Sequence, residues 1–251
     1  MVCAFRGIIR HPLSATMLKH ILLVGAPGVG KGTFAKIFYK SQKWGHLSIG
    51  DLMREEVKNK TPVGLKIKDL LAAGRLVPDE VANQIAFDYM ASLKTVPGAY
   101  RGVLLDGYPR TVSQAELLLN KVDPASVVAM HLKMDQDIAV QKLLSRVKCT
   151  PCGQGFNTAH IVGDGYDMPA LLPNPATCPL GPDCCKPVFE RRSDDTKETI
   201  EKRFAEFYAL TEPVLAVFRR RGLLKEFTVR KGVADAPELL KMLLDDKAPT
   251  K

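Results

Sequence analysis

With 251 residues, 46% of them hydrophobic, the chain can bury one sizeable core plus a small appended unit. Its longest apolar runs, such as Ile21 to Val24 and Val103 to Leu105, fall far short of the roughly 20 residues of a bilayer span, so no membrane insertion is expected. A formal charge of +9 admits nucleic acid, an anionic surface or a small polyanion as partner, but the basic residues stand singly beside glycines and acids. That spacing favours phosphate sites over a nucleic-acid stripe.

Residues 1–18 read as an extension. Arg6, Arg10 and His11 occur there without an acid, and the first acidic residue is Asp51. This composition suits a mitochondrial targeting segment, with a plain extension in a cytoplasmic protein as the alternative. Lys19 to Val24 predicts a buried strand, followed by a glycine-rich turn and a helix over about Gly30 to Gln42. A short strand near His46 to Ser48 runs into Gly50 and Asp51. Helices are expected through Lys58 and from Pro62 to about Ala73, where Gly74 breaks the pattern. After a helix containing Ile85 to Leu93, the strand Val103 to Leu105 ends at Asp106 and gives way to Gly107 and Pro109. Another strand, Val127 to Lys133, precedes a helix over Gln136 to Lys148.

From Cys149 to about Arg192 neither helical nor strand period persists. Prolines, glycines and five of the six cysteines crowd this insertion. Asp195, with Glu198 three residues on, offers a helix start, and Ile200, Phe204, Phe207 and Thr211 continue at helical spacing. Lys225 to Val229 is the last expected strand and Pro237 to Leu244 the closing helix. The alternation predicts an α/β fold, a parallel sheet with helices on both faces. Residues 19–148 and 193–251 would form its body and residues 149–192 the inserted domain. Ligands of such sheets sit at the carboxyl ends of the strands.

Gly25, Pro27, Gly28, Gly30 and Lys31 fit phosphate-loop spacing, after a strand and opening a helix. The glycines let backbone N–H groups turn around phosphate oxygens, and Lys31 reaches the outer phosphates. Directly after the lysine, where Ser or Thr usually holds magnesium, stands Gly32, with Thr33 next.

That run, Gly25 to Thr33, resembles the loop of the nucleoside monophosphate kinases, and the adenylate kinases are the nearest match. The likeness extends in order to about Leu244. It implies a P-loop nucleoside triphosphate hydrolase fold with an inserted lid, AMP-binding helices at about 48–77, and reversible transfer of a phosphoryl group from magnesium-bound ATP to AMP, giving two ADP. It also implies a monomer and no nucleic-acid partner. Ser48 to Arg54 is similar to the monophosphate motif, with Arg54 on the AMP phosphate, and Gly74 to Asp79, including Val77, to the stretch lying against base and ribose. Asp106-Gly107-Tyr108-Pro109-Arg110-Thr111 with Gln114 resembles the second fingerprint. By that resemblance Asp106 orients magnesium-bound water, Arg110 bridges both substrates' phosphates and Gln114 reads the adenine edge. Arg146, Arg192 and Arg203 match the arginines that close over the transferring group.

Two positions depart from the family pattern. Lys142 stands where an arginine usually flanks the donor's base, which leaves room for a GTP:AMP phosphotransferase, because a lysine lacks the planar stacking face. Ile49 replaces a threonine near the AMP base. The cysteines resemble a zinc-bearing lid: Cys149, Cys152, Cys178 and Cys185 would be ligands, with Cys184 as alternative to Cys185, and reduced cysteines in an ordinarily packed lid as the other reading. A nucleotide-binding protein without catalysis is the rival from another class.

Overall fold

The computed structural model describes residues 18–95, 100–174, 189–192 and 194–245. The targeting-segment expectation therefore lies outside the described residues, apart from Leu18. β1 (Lys19–Val24) is followed by α1 (Lys31–Gln42), β2 (Trp44–Ser48), α2 (Ile49–Lys58), α3 (Pro62–Ala72) and α4 (Asp79–Lys94). Short polar side chains start two of these helices: Ser48 accepts the Asp51 N–H, and Thr61 accepts that of Gly64 beside Pro62.

β3 (Gly102–Asp106) leads to α5 (Val112–Lys121), β4 (Val127–Lys133) and α6 (Gln136–Leu144). No helix was expected at α5, yet Thr111 caps it, its hydroxyl accepting the Gln114 N–H at 3.2 Å. The Thr-x-x-Gln spacing that signals such a start is present in the sequence.

The helix expected over Gln136 to Lys148 ends earlier, at Leu144, because Arg146–Cys149 forms a strand, β5. β5 pairs antiparallel with β6 (Gly155–Asn157) and β9 (Phe189–Glu190), while β7 (Ile161–Gly163) and β8 (Tyr166–Met168) form a separate hairpin. Strands this short cannot display an alternation, which is why the sequence showed none. The buried cluster under the three-stranded sheet consists of Cys149 and Phe156.

α7 (Lys197–Glu206) is capped by Thr196, not by the expected Asp195, whose carboxylate is taken by arginines. It continues through a π-helical turn, Phe207–Thr211, into α8 (Glu212–Arg220), then β10 (Leu224–Thr228) and α9 (Ala236–Leu244). No helix among the described residues is long and apolar enough to cross a membrane.

The main sheet runs β10-β4-β1-β3-β2, with every pair parallel. Its strands are apolar on both faces because both are covered. Leu22, Leu105 and Ala129 pack with Met53, Met90, Leu118 and Phe218 of the helices on one side. Ile21, Leu104 and Met130 pack with Phe34, Phe38, Leu239 and Leu243 on the other.

That second cluster also takes in Ile161, Tyr166 and Met168, so the β7-β8 hairpin is packed into the body. The Tyr166 hydroxyl accepts the Asp135 N–H at 3.0 Å, and Asp167 N–H donates to the Arg230 carbonyl at 3.0 Å. Asn157 and Leu171, which exchange backbone hydrogen bonds of 2.9 and 2.8 Å, mark where the hairpin leaves and rejoins the smaller sheet.

Candidate functional site

β1, β2 and β3 end side by side, and each delivers a segment singled out in the sequence. β1 delivers the glycine loop. Gly28 has φ +86, and a Cβ there would lie 2.4 Å from the Ala139 carbonyl oxygen, so α6 presses on the loop too closely for any side chain. Gly30, φ +104, precedes α1, whose start has neither a side-chain cap nor an acid in its first turn. Uncapped N–H groups at a helix start favour an anion.

Lys31 curls back over the loop, its ammonium donating to the Gly25 and Ala26 carbonyls at 2.6 and 2.9 Å. Burial pushes it down to about 7; the Asp106 carboxylate opposes that shift, while Arg110, Arg203 and Arg146 add to it. Asp106 also explains the glycine after the lysine: a Cβ on Gly32 would stand 3.2 Å from the Asp106 Oδ2. Lys142 reaches the same loop, its Nζ 3.8 Å from where a Gly30 Cβ would be. Burial pushes Lys142 down to about 8, against the pull of Asp235.

β2 and β3 deliver a second cleft, open to solvent. Ile49, Val77, Gly107 and Gln114 line it, with Arg54, Arg110 and Arg203 converging on it. Arg54 bonds the Asp51 carboxylate. Burial alone would raise Asp51, but the Arg54 hydrogen bond and charge overcome it and hold the carboxyl at about 2.

Arg110 is held from three sides. Its Nε donates to the Gly107 carbonyl at 3.0 Å, its N–H to Gln114 Oε1 at 2.7 Å, and its carbonyl accepts the Thr211 hydroxyl at 3.0 Å. The Gln114 amide nitrogen donates to Asp79 Oδ1 at 2.7 Å, and Asp79 Oδ2 accepts the Thr111 hydroxyl at 2.8 Å. Each end of the Gln114 amide is thus engaged by the protein once, leaving one N–H and one lone pair for another partner. Asp79 ends the stretch expected against base and ribose, but its hold on Gln114 was not expected, nor was Thr211 as part of the site. Neither contact carries a sequence signal of its own, since each acts on a residue more than 30 positions away.

The third group comes from the insertion's flanks. Arg146 grips Asp195 with Nε and Nη2 at 2.8 and 2.6 Å, and Arg203 reaches Asp195 and Asp194 at 3.3 and 3.4 Å. Arg192 is pushed down to about 10 by burial and by Arg146 and Arg54. Lys31, Arg54, Arg110, Arg146, Arg192 and Arg203 therefore share one field, each depressing or depressed by another of the set. Asp51, Asp106, Asp194, Asp195 and Glu206 oppose it, and a bound polyanion would relieve it further.

Cys149 is buried at the end of β5 and Cys152 is half-buried in the next turn, where Gly153, φ +69, donates its N–H to the Cys149 carbonyl at 2.8 Å. Cys178, Cys184 and Cys185 lie outside the described residues. Among the described residues no group of three or more His, Cys, Asp or Glu could hold a metal.

The family model for adenylate kinase matches residues 23–223. The chain is 34% identical over 230 residues to an adenylate kinase of Rhizorhabdus wittichii, covering 90% of this chain and all of that protein. It is 35% identical to chloroplastic adenylate kinase 1 of Arabidopsis thaliana, covering 90% of this chain and 78% of that one. A GTP:AMP phosphotransferase of Plasmodium falciparum is 30% identical, at 90% and 96% coverage.

Proposed function

Because the chain belongs to the adenylate kinase family, we propose residue roles for the reaction that this membership fixes. The protein is a nucleoside monophosphate kinase that transfers the terminal phosphoryl group of magnesium-bound ATP reversibly to AMP, giving two ADP. The observation that carries the role assignment is the position of Arg110, which lines the second cleft and lies within the field of Lys31 on the glycine loop.

The glycine loop, from Gly25 to Thr33, cradles the donor phosphates with Lys31 and Arg146, and Asp106 would help hold the magnesium that accompanies them. Arg54 takes the AMP phosphate, Ile49, Val77 and Gly107 flank the nucleoside, and the spare N–H and lone pair of Gln114 read its base. The AMP oxygen is already ionised, so no general base is needed. The work is alignment of the two phosphates and neutralisation of the charge spreading over the transferred oxygens by Lys31, Arg110, Arg146, Arg192 and Arg203. The smaller sheet, with Arg192 beside it, acts as a lid that excludes water as the competing acceptor, while the β7-β8 hairpin stays packed in the body.

Lys142 supports a second reading for the donor. A lysine resting on the phosphate loop contributes charge and no stacking face, so it discriminates weakly between adenine and guanine. One relative is named as a GTP:AMP phosphotransferase. A coupled assay with AMP and either ATP or GTP separates the two: higher kcat/KM with ATP supports an adenylate kinase, and preference for GTP supports the phosphotransferase. No turnover with either would leave only nucleotide binding.

Cys149 and Cys152 in one tight turn suit a zinc knuckle, and Cys178 with Cys185, or Cys184, would complete four thiolates. Such a site would add stability to the small buried cluster around Cys149 and Phe156. Arg6, Arg10 and the absence of acids before Asp51 support import into the mitochondrion, with a monomer as the working form.

A further inference from the structure

We propose that Asp79 sets the acceptor site's choice of base: by fixing which way round the Gln114 amide lies, it admits a 6-amino purine and refuses a 6-oxo one. The inference rests on the reading of the second cleft as the AMP site, with Gln114 at the base.

Gln114 is 3% exposed and lines that cleft. Among the described residues, the other side chains lining it are apolar, as Ile49, Met53 and Val77 are, or carry one kind of group. The arginines donate only and the Asp194 carboxylate accepts only. Gln114 alone offers a donor and an acceptor together, so the polar reading of a base falls to its amide.

An amide can lie either way round, and the two ways suit opposite partners. Here two neighbours of fixed character decide. The Arg110 N–H can only donate, and it takes Oε1 at 2.7 Å. The Asp79 carboxylate can only accept, and it takes Nε2 at 2.7 Å. The other Asp79 oxygen accepts the Thr111 hydroxyl at 2.8 Å, and that hydroxyl in turn accepts the Gln114 backbone N–H at 3.2 Å. Asp79, the first residue of α4, therefore steadies both the side chain and the backbone of a residue in the first turn of α5. It acts on the base through Gln114, which makes it a positioning residue.

Turning the amide over would set N–H against N–H at Arg110 and oxygen against carboxylate at Asp79, losing two hydrogen bonds at a buried position. The spare lone pair and the spare N–H are thus presented in one order only. Adenine offers its 6-amino donor beside a ring-nitrogen acceptor, which pairs with that order. A 6-oxo purine has an acceptor where adenine has the donor, so a lone pair meets a lone pair.

The test is steady-state kinetics at saturating ATP with either AMP or inosine monophosphate as acceptor, for wild type, Asp79→Asn and Asp79→Ala. Asparagine keeps the shape of the side chain but can turn either end of its own amide toward Gln114, so only Arg110 still dictates the orientation. The ratio of kcat/KM for AMP to that for inosine monophosphate should fall about tenfold in Asp79→Asn and at least as far in Asp79→Ala. A negative charge in the first turn of α4 also favours that helix. Losing only that support would lower both acceptors alike and leave the ratio where it was. An unchanged ratio in Asp79→Asn, or a wild type that uses both acceptors equally, would overturn the role of Asp79. The asparagine variant is nearly isosteric, so it still gives an answer if the alanine variant does not fold. Wild-type protein that neither binds AMP nor turns it over would instead defeat the acceptor-site reading beneath it.

Discussion

The five parallel strands of the body lie between two helical layers and bury long apolar runs on both faces, whereas among the described residues the three antiparallel strands of the smaller sheet bury Cys149 and Phe156, with Val147, Cys152 and Leu171 partly buried against them. The body is held together by its own burial and can keep the glycine loop and Arg110 in place without substrate. The smaller sheet has little of its own to hold it. It leans on contacts at its edges, on Arg146 gripping Asp195, and on the hairpin that the body's core encloses.

The contrast breaks most visibly through a core deletion. Leu104→Ala, at a fully buried strand position, should cost about 3 kcal/mol of global stability, read by chemical denaturation. Phe156→Ala should leave that transition in place and lower hydrogen-exchange protection only within residues 146–157. Loss of the global transition in Phe156→Ala would mean that the two sheets unfold as one.

Next in size is Arg110→Ala, which should reduce turnover about a hundredfold, about 2.7 kcal/mol of transition-state stabilisation, with an unchanged melt. A near-normal rate would show that the body's preformed arginine is not what the reaction uses. Chelation sharpens the comparison from the other side. Stripping bound metal should loosen residues 146–157 in hydrogen exchange while leaving the body's protection as it was, and no change would remove zinc from the account of the smaller sheet.

The smallest expected effect is a proton count. Lys31 and Lys142, at about 7 and about 8 in the ligand-free protein, are held low by burial first. Phosphate oxygens favour the ammonium forms and raise both values on binding. At pH 8 the complex then holds more protons than the free enzyme, so ATP binding takes up protons and affinity falls as pH rises further. Calorimetry in two buffers of different ionisation enthalpy reads the uptake; release in place of uptake would contradict the assignment.

The body was legible because buried parallel strands and phosphate-binding turns write themselves locally: Ile21 to Val24, Val103 to Leu105 and the glycines at 25, 28 and 30 are contiguous or nearly so. What escaped reading depends on distant partners. Asp79 matters through Gln114 and Thr211 through Arg110, and neither pairing has a spacing to detect. The end of α6 was misplaced because Arg146 and Val147 continue an apparent helical pattern, and only pairing with Asn157 and Phe156 turns them into a strand. Three-residue strands gave no period.

The hairpin from Ile161 to Met168 changes how this protein could be taken apart. Its side chains belong to the body's core although its sequence sits in the middle of the insertion. A designer who cut at the edges of the small sheet and spliced in another enzyme's segment would pull Ile161, Tyr166 and Met168 out like a cork, flooding the space beside Phe227 and Val229. Lengthening or trimming between the paired Asn157 and Leu171 is costly, because those residues feed the body's core. The segment that looks most like an exchangeable cassette is therefore stitched through its host.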